Sequence, residues 1–401
     1  MKQKYLLVLA TIGIVLAGVT AEYLFVLRPG HHTPTLPLVM PARATLSPTP
    51  TSVDGRYLLN GTVVWARAVE KYANGNYAQP FSQLDTFHPE QYDAWSTDFE
   101  CPITNNVVPY QTQIDKLIFN CRPEFLPAAS KYFSIYDLAN NHTDNQGGET
   151  GLEETRTHLE QAGDQYFGTF DPADSKNVCE VLALPVRVVK SDKSEQKSSL
   201  PIAFCGWHYF YRRPLPGEIA VMDQYAKYMP VFAFAEMGVE YHPTADATQV
   251  DIAHQIVDHG PEFLIANNPH WVQNTEVYKN KLIVYSTGNF IFDQLDTETN
   301  RSDSIAAAMT VPYDANVAKW LKLAPSCKAF HDSCLQQAQQ QGLKKVKLSI
   351  NFGVVAGQNG VRVITHRADE TTKQAVLQRT NWTTTCAQLA KPYGCSDETK
   401  L

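Results

Sequence analysis

From Tyr57 onward the sequence alternates between short apolar runs and segments with helical periodicity. The runs are rich in aromatic and β-branched residues, which favours buried strands. They occupy residues 57–59, 133–139, 202–204, 231–235, 263–266 and 282–285, and further strands are expected at 306–311 and 346–355. Residues 151–163 and 246–260 each place their apolar side chains on one helical face and end at a glycine. This alternation predicts an α/β domain in which helices cover a sheet.

The N-terminus carries the pattern of a membrane-targeting segment. Lys2 and Lys4 precede an apolar run at 5–19 that contains no charged residue. Apolarity resumes at 23–27, so the span is long enough to cross a bilayer, with the lysines inside and the remaining chain outside. Residues 1–28 are therefore expected to be an uncleaved signal-anchor at the cell membrane. A signal peptide, cleaved to release a secreted protein, is the alternative.

The next segments divide the rest of the chain. Residues 29–53 are rich in Pro, Thr and Ser, which is typical of an extended linker. Residues 54–370 are expected to form the main domain. Residues 371–401 are expected to form a C-terminal tail stapled by a disulfide. The hydrophilic stretch 191–199 inside the main domain predicts an exposed loop.

The chain has 8 cysteines, which fits an oxidising compartment. Their short separations make Cys327–Cys334 and Cys386–Cys395 the expected disulfides. Cys101 and Cys121 each follow a predicted strand end and form a further candidate pair. Spacing alone does not fix the connectivity. No Cys/His group has the spacing of a structural zinc site.

The net charge of the chain indicates whether nucleic acid is an expected partner. Lys and Arg total 34 against 41 Asp and Glu, a net charge of -7. Nucleic-acid binding depends on clustered positive charge, and the sequence has no stripe of Lys or Arg interleaved with aromatic residues. Nucleic acid is therefore excluded as the expected partner.

Polar side chains directly follow the predicted strands. They occur in five segments, at residues 99–102, 140–142, 236–241, 267–270 and 286–290. A single Glu or Asn at a strand end more often forms a turn or caps a helix. Five such segments together predict a site, because ligands bind outside the carboxyl ends of strands in α/β sheets.

Five blocks, at 138–142, 151–163, 238–241, 269–270 and 283–293, occur in an order that resembles the CapA family. This is the family of bacterial capsule, or poly-γ-glutamate, synthesis proteins with a PGA_cap domain. It is itself similar to calcineurin-like metallophosphatases. The resemblance covers about residues 58–293. It implies a metallophosphatase-like four-layer α/β/β/α sandwich, preceded here by the N-terminal transmembrane or signal helix, with a metal-type pocket at the strand tips.

The resemblance also implies roles for individual residues. The implied metal ligands are Glu100, Asn141, Glu236 and Asn268. The implied catalytic residues are His142, Glu240 and His270. The implied substrate-binding residues are Arg67, Asn140 and Asn289.

The sequence departs from the family pattern at several of these positions. Thr62 replaces a metal-binding Asp, Glu236 replaces a His, and Asn267 and Asn268 replace two histidines. A dinuclear transition-metal site needs carboxylate and imidazole ligands that these substitutions remove. The remaining oxygen donors suit one divalent hard cation, Mg²⁺ or Ca²⁺.

The expected function is that of a membrane-anchored extracytoplasmic protein in the biosynthesis or export of a poly-γ-glutamate-type capsule polymer. Its expected partners are that cell-envelope polymer or its synthase complex. One alternative is a metal-dependent phosphoesterase or related hydrolase of the envelope. Another is a catalytically silent ligand-binding module. Whether the chain is an enzyme is left open by the sequence.

Overall fold

The computed structural model describes residues 47–171, 173–174, 176–329 and 331–396. The predicted signal-anchor at 1–28 and residues 29–46 of the predicted linker lie outside these ranges. Within them, no helix is both long enough and apolar enough to cross a membrane.

The described residues form a mixed α/β structure. The strands are β1 Pro50–Val63, β2 Ala94–Phe99, β3 Phe133–Asp137, β4 Gln165–Phe167, β5 Cys179–Lys190, β6 Glu195–His208, β7 Val231–Glu236, β8 Phe263–Asn267, β9 Thr275–Tyr278, β10 Lys281–Val284, β11 Asn289–Ile291, β12 Arg301–Pro312, β13 Ser349–Asn359, β14 Thr365–Arg367 and β15 Tyr393–Cys395. The α-helices are α1 Arg67–Ala73, α2 Tyr110–Lys116, α3 Leu126–Ala129, α4 Glu149–Ala162, α5 Asp223–Ala226, α6 Ala247–Asp258, α7 Ala315–Ala329, α8 His331–Gln340, α9 Glu370–Arg379 and α10 Trp382–Gln388. Single 3₁₀ turns lie at Gln79–Phe81, Leu84–Phe87, Pro89–Gln91, Pro123–Phe125 and Ile219–Met222.

Strand β1 connects two parts of the sheet. The main path runs β14-β13-β12-β1-β5-β6-β7-β8-β10-β9. Strands β11 and β2 also pair with β1, and β3 and then β4 continue the sheet beyond β2. The first half of β1 pairs with β5 in antiparallel register, for example Ser52 with Val189. Its second half pairs with β2 in parallel register, for example Leu59 with Ser96. The predicted α/β class is confirmed, and the four-layer arrangement stays a prediction.

The side chains of β1 alternate between two hydrophobic cores, as the period of two along a strand requires. Tyr57 and Leu59 enter a large core built on β5 to β8, β10, β12 and β13. Leu58 enters a second core rich in aromatic residues, such as Trp65. Val63 enters the same core, because the register of β1 shifts between Asn60 and Thr62. Each fully buried side chain of this size contributes about 1.5–3 kcal/mol to folding. The last residues of β1 are thereby fixed between the two cores.

The two predicted helices are confirmed. Helix α4 ends at Gly163, which takes the left-handed conformation (φ 83°) that favours glycine at this position. Helix α6 begins after Asp246, whose side chain accepts hydrogen bonds from the backbone N–H groups of Thr248 and Gln249. Both helices follow strands whose tips carry predicted site residues.

Three predicted boundaries differ from the structure. Strand β1 begins at Pro50, inside the predicted linker. Strand β6 begins at Glu195, so most of the predicted 191–199 loop is strand, paired with β5. Its first residues are exposed because the β5–β6 ribbon extends beyond the core, which explains the hydrophilic sequence. The described part of the predicted tail also joins the sheet, because β15 pairs with β13.

The described cysteines form four disulfides. Cys327–Cys334, Cys386–Cys395 and the candidate pair Cys101–Cys121 are all present. The fourth, Cys179–Cys205, joins directly opposite residues of β5 and β6. It was not predicted, because the length and register of the β5–β6 ribbon are not evident from the sequence.

Candidate functional site

Two rows of polar residues lie at the carboxyl ends of parallel strands. In the first row, Thr62 of β1 is in register with Asp98 of β2, and Asp98 with Asp137 of β3. In the second row, His208 of β6 is in register with Glu236 of β7, and Glu236 with Asn267 of β8.

Glycines bring the two rows together at both ends. A Cβ atom on Gly206 of β6 would lie 2.6 Å from the Oδ1 atom of Asp137, so only glycine permits this approach. At the other end, a Cβ on Gly61 would lie 2.0 Å from the carbonyl oxygen of Gly288. The adjacent Thr287 donates its hydroxyl to Asn267 Oδ1. The strand tips therefore surround one polar region.

Asp98 is the centre of the first row. Thr62 Oγ1 donates to Asp98 Oδ2 over 2.7 Å, and Asn140 Nδ2 donates to Asp98 Oδ1 over 3.1 Å. Burial raises the pKa of Asp98 to about 6, although both hydrogen bonds act in the opposite direction. Thr62, which stands where the family has a metal-binding Asp, is thus a hydrogen-bond donor to a neighbouring acid. Asn140, a predicted substrate-binding residue, also donates to that acid.

Glu100 and His142 form the first acid–imidazole contact. Glu100 Oε1 lies 3.6 Å from His142 Nε2. Asn145 Oδ1 accepts from His142 Nδ1 over 2.7 Å, and the imidazole stacks on the Phe119 ring at 3.8 Å between centroids. Burial lowers the pKa of His142 to about 4, while burial and the neighbouring Asp98 raise the pKa of Glu100 well above 4.5. The imidazole is therefore uncharged near neutral pH, and the contact is not an ion pair.

Arg67 is held by an acid and two rings. Its Nε atom lies 3.1 Å from Asp293 Oδ2, and a second guanidinium nitrogen pairs with Oδ1 of the same carboxylate. The guanidinium lies over Phe119 at 4.2 Å and over Phe292 at 5.2 Å. Arg67, a predicted substrate-binding residue, therefore has its charge paired within the fold, and it supports the ring on which His142 stacks.

Glu240 and His270 form a second acid–imidazole contact. Glu240 Oε1 lies 3.8 Å from His270 Nε2. Asn289 Oδ1 accepts from His270 Nδ1 over 2.9 Å, so this predicted substrate-binding residue orients the imidazole. Burial lowers the pKa of His270 to about 4, and burial raises that of Glu240. His142 also contributes to the lowered pKa of His270, which places the two imidazoles within electrostatic reach of each other.

The predicted metal ligands differ in their surroundings. Glu100 Oε2, Asn141 Oδ1 and Glu236 Oε2 are buried and have no hydrogen-bond partner among the described residues. Burial raises the pKa of Glu236, and the nearby Asp98 and Glu100 raise it further. Asn268 instead donates its amide to the Gly238 carbonyl over 2.6 Å.

The donor chemistry of this region fits a single hard cation. Unpartnered carboxylate and amide oxygens are the ligands that Mg²⁺ and Ca²⁺ prefer. Within the described ranges, no group of three or more His, Cys, Asp or Glu residues is arranged to hold a metal ion.

His208 was missed by the sequence analysis. The Phe170 carbonyl accepts from His208 Nδ1 over 2.7 Å, so Nε2 carries the lone pair. That Nε2 atom is buried and has no partner within the described part of the chain. Burial lowers the pKa of the imidazole. The available signal was that His208 directly follows the apolar segment 202–207, but the predicted strand ended at 204.

The part of the chain that contains this site matches a known protein family. The family described as "Bacterial capsule synthesis protein PGA_cap" matches residues 56–294. The chain is 26% identical over 226 residues to capsule biosynthesis protein CapA of Bacillus anthracis, covering 52% of this chain and 53% of that protein. It is 37% identical over 65 residues to PGA biosynthesis protein CapA of Bacillus subtilis (strain 168), covering 16% of this chain and 17% of that protein. The match thus spans about half the length of the first relative and less of the second.

Two solved structures align with this chain over most of their own length, but their TM-scores are low. TT1561 of Thermus thermophilus gives a TM-score of 0.35 at 10% identity, covering 62% of this chain and 93% of that one. GAP50, the anchor in the inner membrane complex of Plasmodium, gives a TM-score of 0.37 at 10% identity, covering 86% of this chain and 97% of that one. The family match takes in more than half of the chain and all the strand-tip residues described above. This chain therefore belongs to the PGA_cap family of bacterial capsule synthesis proteins.

Proposed function

We propose that this chain acts outside the cytoplasmic membrane in the biosynthesis or export of a capsule polymer of the poly-γ-glutamate type. Family membership and the named capsule function of the two relatives support this proposal. Residues 1–28 anchor the protein in the cell membrane, and its partners are the polymer or the synthase complex. The domain adopts the four-layer α/β/β/α arrangement of metallophosphatases.

The observation that carries the proposal is the pair of acid–imidazole contacts, Glu100 with His142 and Glu240 with His270, each of which joins a buried residue to a partly exposed one. Acids and imidazoles are costly to bury, and strongly shifted pKa values cluster at functional sites. Both contacts lie inside the region matched by the family. Each neutral imidazole donates from Nδ1 to an Asn oxygen, so its Nε2 atom carries a lone pair that can accept a hydrogen bond from a ligand.

One divalent hard cation completes the site. Glu100, Asn141 and Glu236 would hold it through their unpartnered oxygens. Such a cation supplies Lewis-acid polarisation of a ligand oxygen when bound. Asn268, the fourth predicted ligand, donates from Nδ2 to the Gly238 carbonyl, and its Oδ1 atom would be the one to bind the cation.

A second candidate function is a metal-dependent phosphoesterase of the cell envelope. The specific observation in its favour is His208, whose free Nε2 atom adds a nitrogen donor beside Glu236. Elemental analysis of the full chain, purified in detergent, together with a phosphoesterase screen separates the two candidates. Two firmly held cations and robust turnover favour the hydrolase, and one weakly held cation without turnover favours the capsule role.

Complementation tests the capsule proposal directly. A strain lacking this gene is supplied with the wild-type chain or with the His142→Ala variant, and cell-associated polymer is measured. We expect wild type to restore the polymer and His142→Ala to fail while still accumulating as folded protein. Equal polymer from both chains would contradict the proposed role of the site.

A further inference from the structure

Exposed lysines gather at the end of the sheet opposite the strand tips described above. None of them forms an ion pair with another described residue, and together they make up a basic face: Lys193 and Lys197 around the β5–β6 turn, Lys319 in α7, Lys344 and Lys347 before β13, and Lys391 before β15. They come from separate segments of the chain, so no lysine stripe is visible in the sequence. The members in α7 and beyond lie outside residues 56–294, so family membership does not account for them.

The strand register places these segments at one end of the sheet. Ser349, the first residue of β13, is opposite Thr310 near the end of β12. Pro312, the last residue of β12, is opposite Ser52 near the start of β1, and Ser52 is opposite Val189 just before the β5–β6 turn. Neighbouring strands lie about 4.8 Å apart, so the ends of β13, β12, β1, β5 and β6 together span roughly 20 Å.

Further contacts bring α7 and β15 to the same end. Trp320 Nε1 donates to the Lys344 carbonyl over 2.9 Å, which places the part of α7 that carries Lys319 beside Lys344. Strands β13 and β15 are parallel and are paired near their starts. Lys347 and Lys391, which precede these two strands, therefore lie at the same end of the sheet.

Most acids at this end are already paired inside the fold. Glu262 pairs with Lys345 at 2.9 Å and with Lys281 at 3.2 Å, and Glu195 pairs with Arg187 at 3.2 Å. The acids there that form no ion pair with another described residue are Asp54, Asp192 and Asp314. Unpaired lysines outnumber them, so the basic face carries positive charge although the whole chain has a net charge of -7.

The chain enters the domain on the basic face. The backbone N–H of Ser191 donates to the Thr49 carbonyl over 2.8 Å, and the backbone N–H of Thr49 donates to Ser191 Oγ over 3.2 Å. Ser191 lies in the β5–β6 turn, close in sequence to Lys193. Strand β1 then leads away to the strand tips, and its 14 residues separate the two ends of the sheet by roughly 40 Å.

We propose that the basic face docks on the surface of an anionic phospholipid bilayer. The negative potential of such a surface attracts lysine side chains within about a Debye length, about 10 Å at 0.1 M salt. An anionic polymer offers the same charge. Lipid is favoured because the proposed anchor at residues 1–28 precedes Thr49, and a chain that enters on this face keeps it close to the bilayer at high effective concentration. The inference rests on the anchor of the proposed function, and it adds that the strand tips open away from the bilayer.

Lysine footprinting of the full chain in lipid nanodiscs tests the proposal. The discs contain phosphatidylcholine alone or an equimolar mixture of phosphatidylcholine and phosphatidylglycerol, and mass spectrometry follows the acetylation of each lysine. In the mixed discs we expect slower acetylation across the basic face. The difference should disappear at about 1 M salt, where the Debye length is about 3 Å. Lys71 and Lys116, exposed residues of α1 and α2 outside the basic face, should react equally in both discs.

The double variant Lys344→Gln with Lys347→Gln removes two charges from the basic face. Because a lysine near an anionic surface contributes about fivefold to binding, the ratio of protected to unprotected Lys391 should fall about 25-fold in the mixed discs. The matched control, Lys71→Gln with Lys116→Gln, should leave this ratio unchanged. All four substituted lysines are exposed, so both variants should keep the wild-type melting temperature.

The same footprint can overturn the proposal. Equal acetylation of Lys391 in neutral and mixed discs, or protection that survives the double substitution, would exclude docking by charge. Protection by soluble poly-γ-glutamate in neutral discs, without protection by phosphatidylglycerol, would assign the face to an anionic polymer instead. A chain that enters the discs but leaves the basic face open contradicts the docking alone. A chain that does not enter the discs contradicts the proposed anchor and the docking together.

Discussion

Glu100 Oε1 and His142 Nε2 lie 3.6 Å apart across the tips of the neighbouring parallel strands β2 and β3. Burial raises the pKa of the acid and lowers that of the imidazole to about 4, so the imidazole is uncharged at neutral pH and the contact is not an ion pair. A contact without opposite charges gains little Coulomb energy. We expect a bound ligand or cation to change the protonation of the acid.

Replacing Glu100 by Gln should abolish polymer production with little effect on stability. The amide keeps the shape of the protonated acid but cannot become a carboxylate ligand. We expect a melting temperature equal to or above that of wild type, measured by circular dichroism, and polymer at the level of the gene deletion. Glu90→Gln is the matched control, because the Glu90 side chain is 69% exposed, and it should behave as wild type. Normal polymer from Glu100→Gln would remove this acid from the proposed site.

Cation binding should release protons and should strengthen as the pH rises. The pKa values of Glu100 and Glu236 are raised, so protons compete with a divalent cation for both acids. Titration calorimetry with Mg²⁺ or Ca²⁺, repeated in buffers of different ionisation enthalpy, measures this release. We expect weak binding of at most about one cation per chain, further weakened by Glu236→Gln. Affinity that does not change between pH 6 and 8 would contradict the assigned ligands.

The strand tips were predictable because each apolar run was followed directly by polar residues. The sequence thus indicated Glu100, His142, Glu240 and His270, and the structure places them in two acid–imidazole contacts. It could not indicate that Asn268 points its amide at Gly238, because that depends on the φ of 99° at Asn268 and on the adjacent loop. His208 was missed because recognising it requires the full length of β6, which is set by pairing with β5 and not by local pattern.

Glu262 should stabilise the fold at neutral pH and lose that effect in acid. Its carboxylate pairs with Lys345 at 2.9 Å and Lys281 at 3.2 Å, and it accepts from the Tyr393 hydroxyl. Burial acts to raise its pKa, but Lys345 and Lys281 outweigh this effect, so the pKa falls below its ordinary value of 4.5. The stabilisation is therefore complete above about pH 4.5 and disappears as the pH falls through the folded-state pKa.

Glu262→Gln should thus lower the free energy of unfolding at pH 7 by about 2–3 kcal/mol, less than for a fully buried pair because Lys345 is partly exposed. Urea denaturation at pH 7 and pH 3 measures the effect, and the difference from wild type should shrink at pH 3. Glu124→Gln, which removes a half-exposed acid 4.0 Å from Arg122, should change stability far less. A difference that grows in acid would contradict the lowered pKa.

The Cys101–Cys121 disulfide should support both stability and the site. Cys101 directly follows Glu100, and the bond closes a segment of 20 residues that contains Phe119, on which His142 stacks. Replacing both cysteines by Ala should lower the free energy of unfolding by about 3 kcal/mol on loop-entropy grounds and should reduce polymer output.

The matched control removes Cys327–Cys334, which spans 7 residues and joins helices without predicted site residues. It should cost about 2 kcal/mol and leave output unchanged. Equal loss of output in both variants would show a purely global effect.

The protein should fractionate with membranes and be open to protease from outside. Residues 5–19 carry no charge, and a proline-rich segment follows at 29–53. Protease treatment of intact cells without an outer barrier should digest the domain, while a cytoplasmic marker stays intact. Deleting residues 1–28 should remove the protein from the membrane fraction. Complete protection of the domain would exclude the proposed orientation.

Strand β1 sets an order in which this protein can assemble as it is synthesised. It is the first described strand of the chain, yet its long antiparallel partner, β12, is among the last. Until β12 arrives, one edge of β1 has no strand to pair with, and unpaired apolar edges promote aggregation. Pairing across so much of the chain is also slow. A nascent chain that stalls before residue 301 therefore carries every strand-tip residue of the site and still cannot close the sheet that holds them.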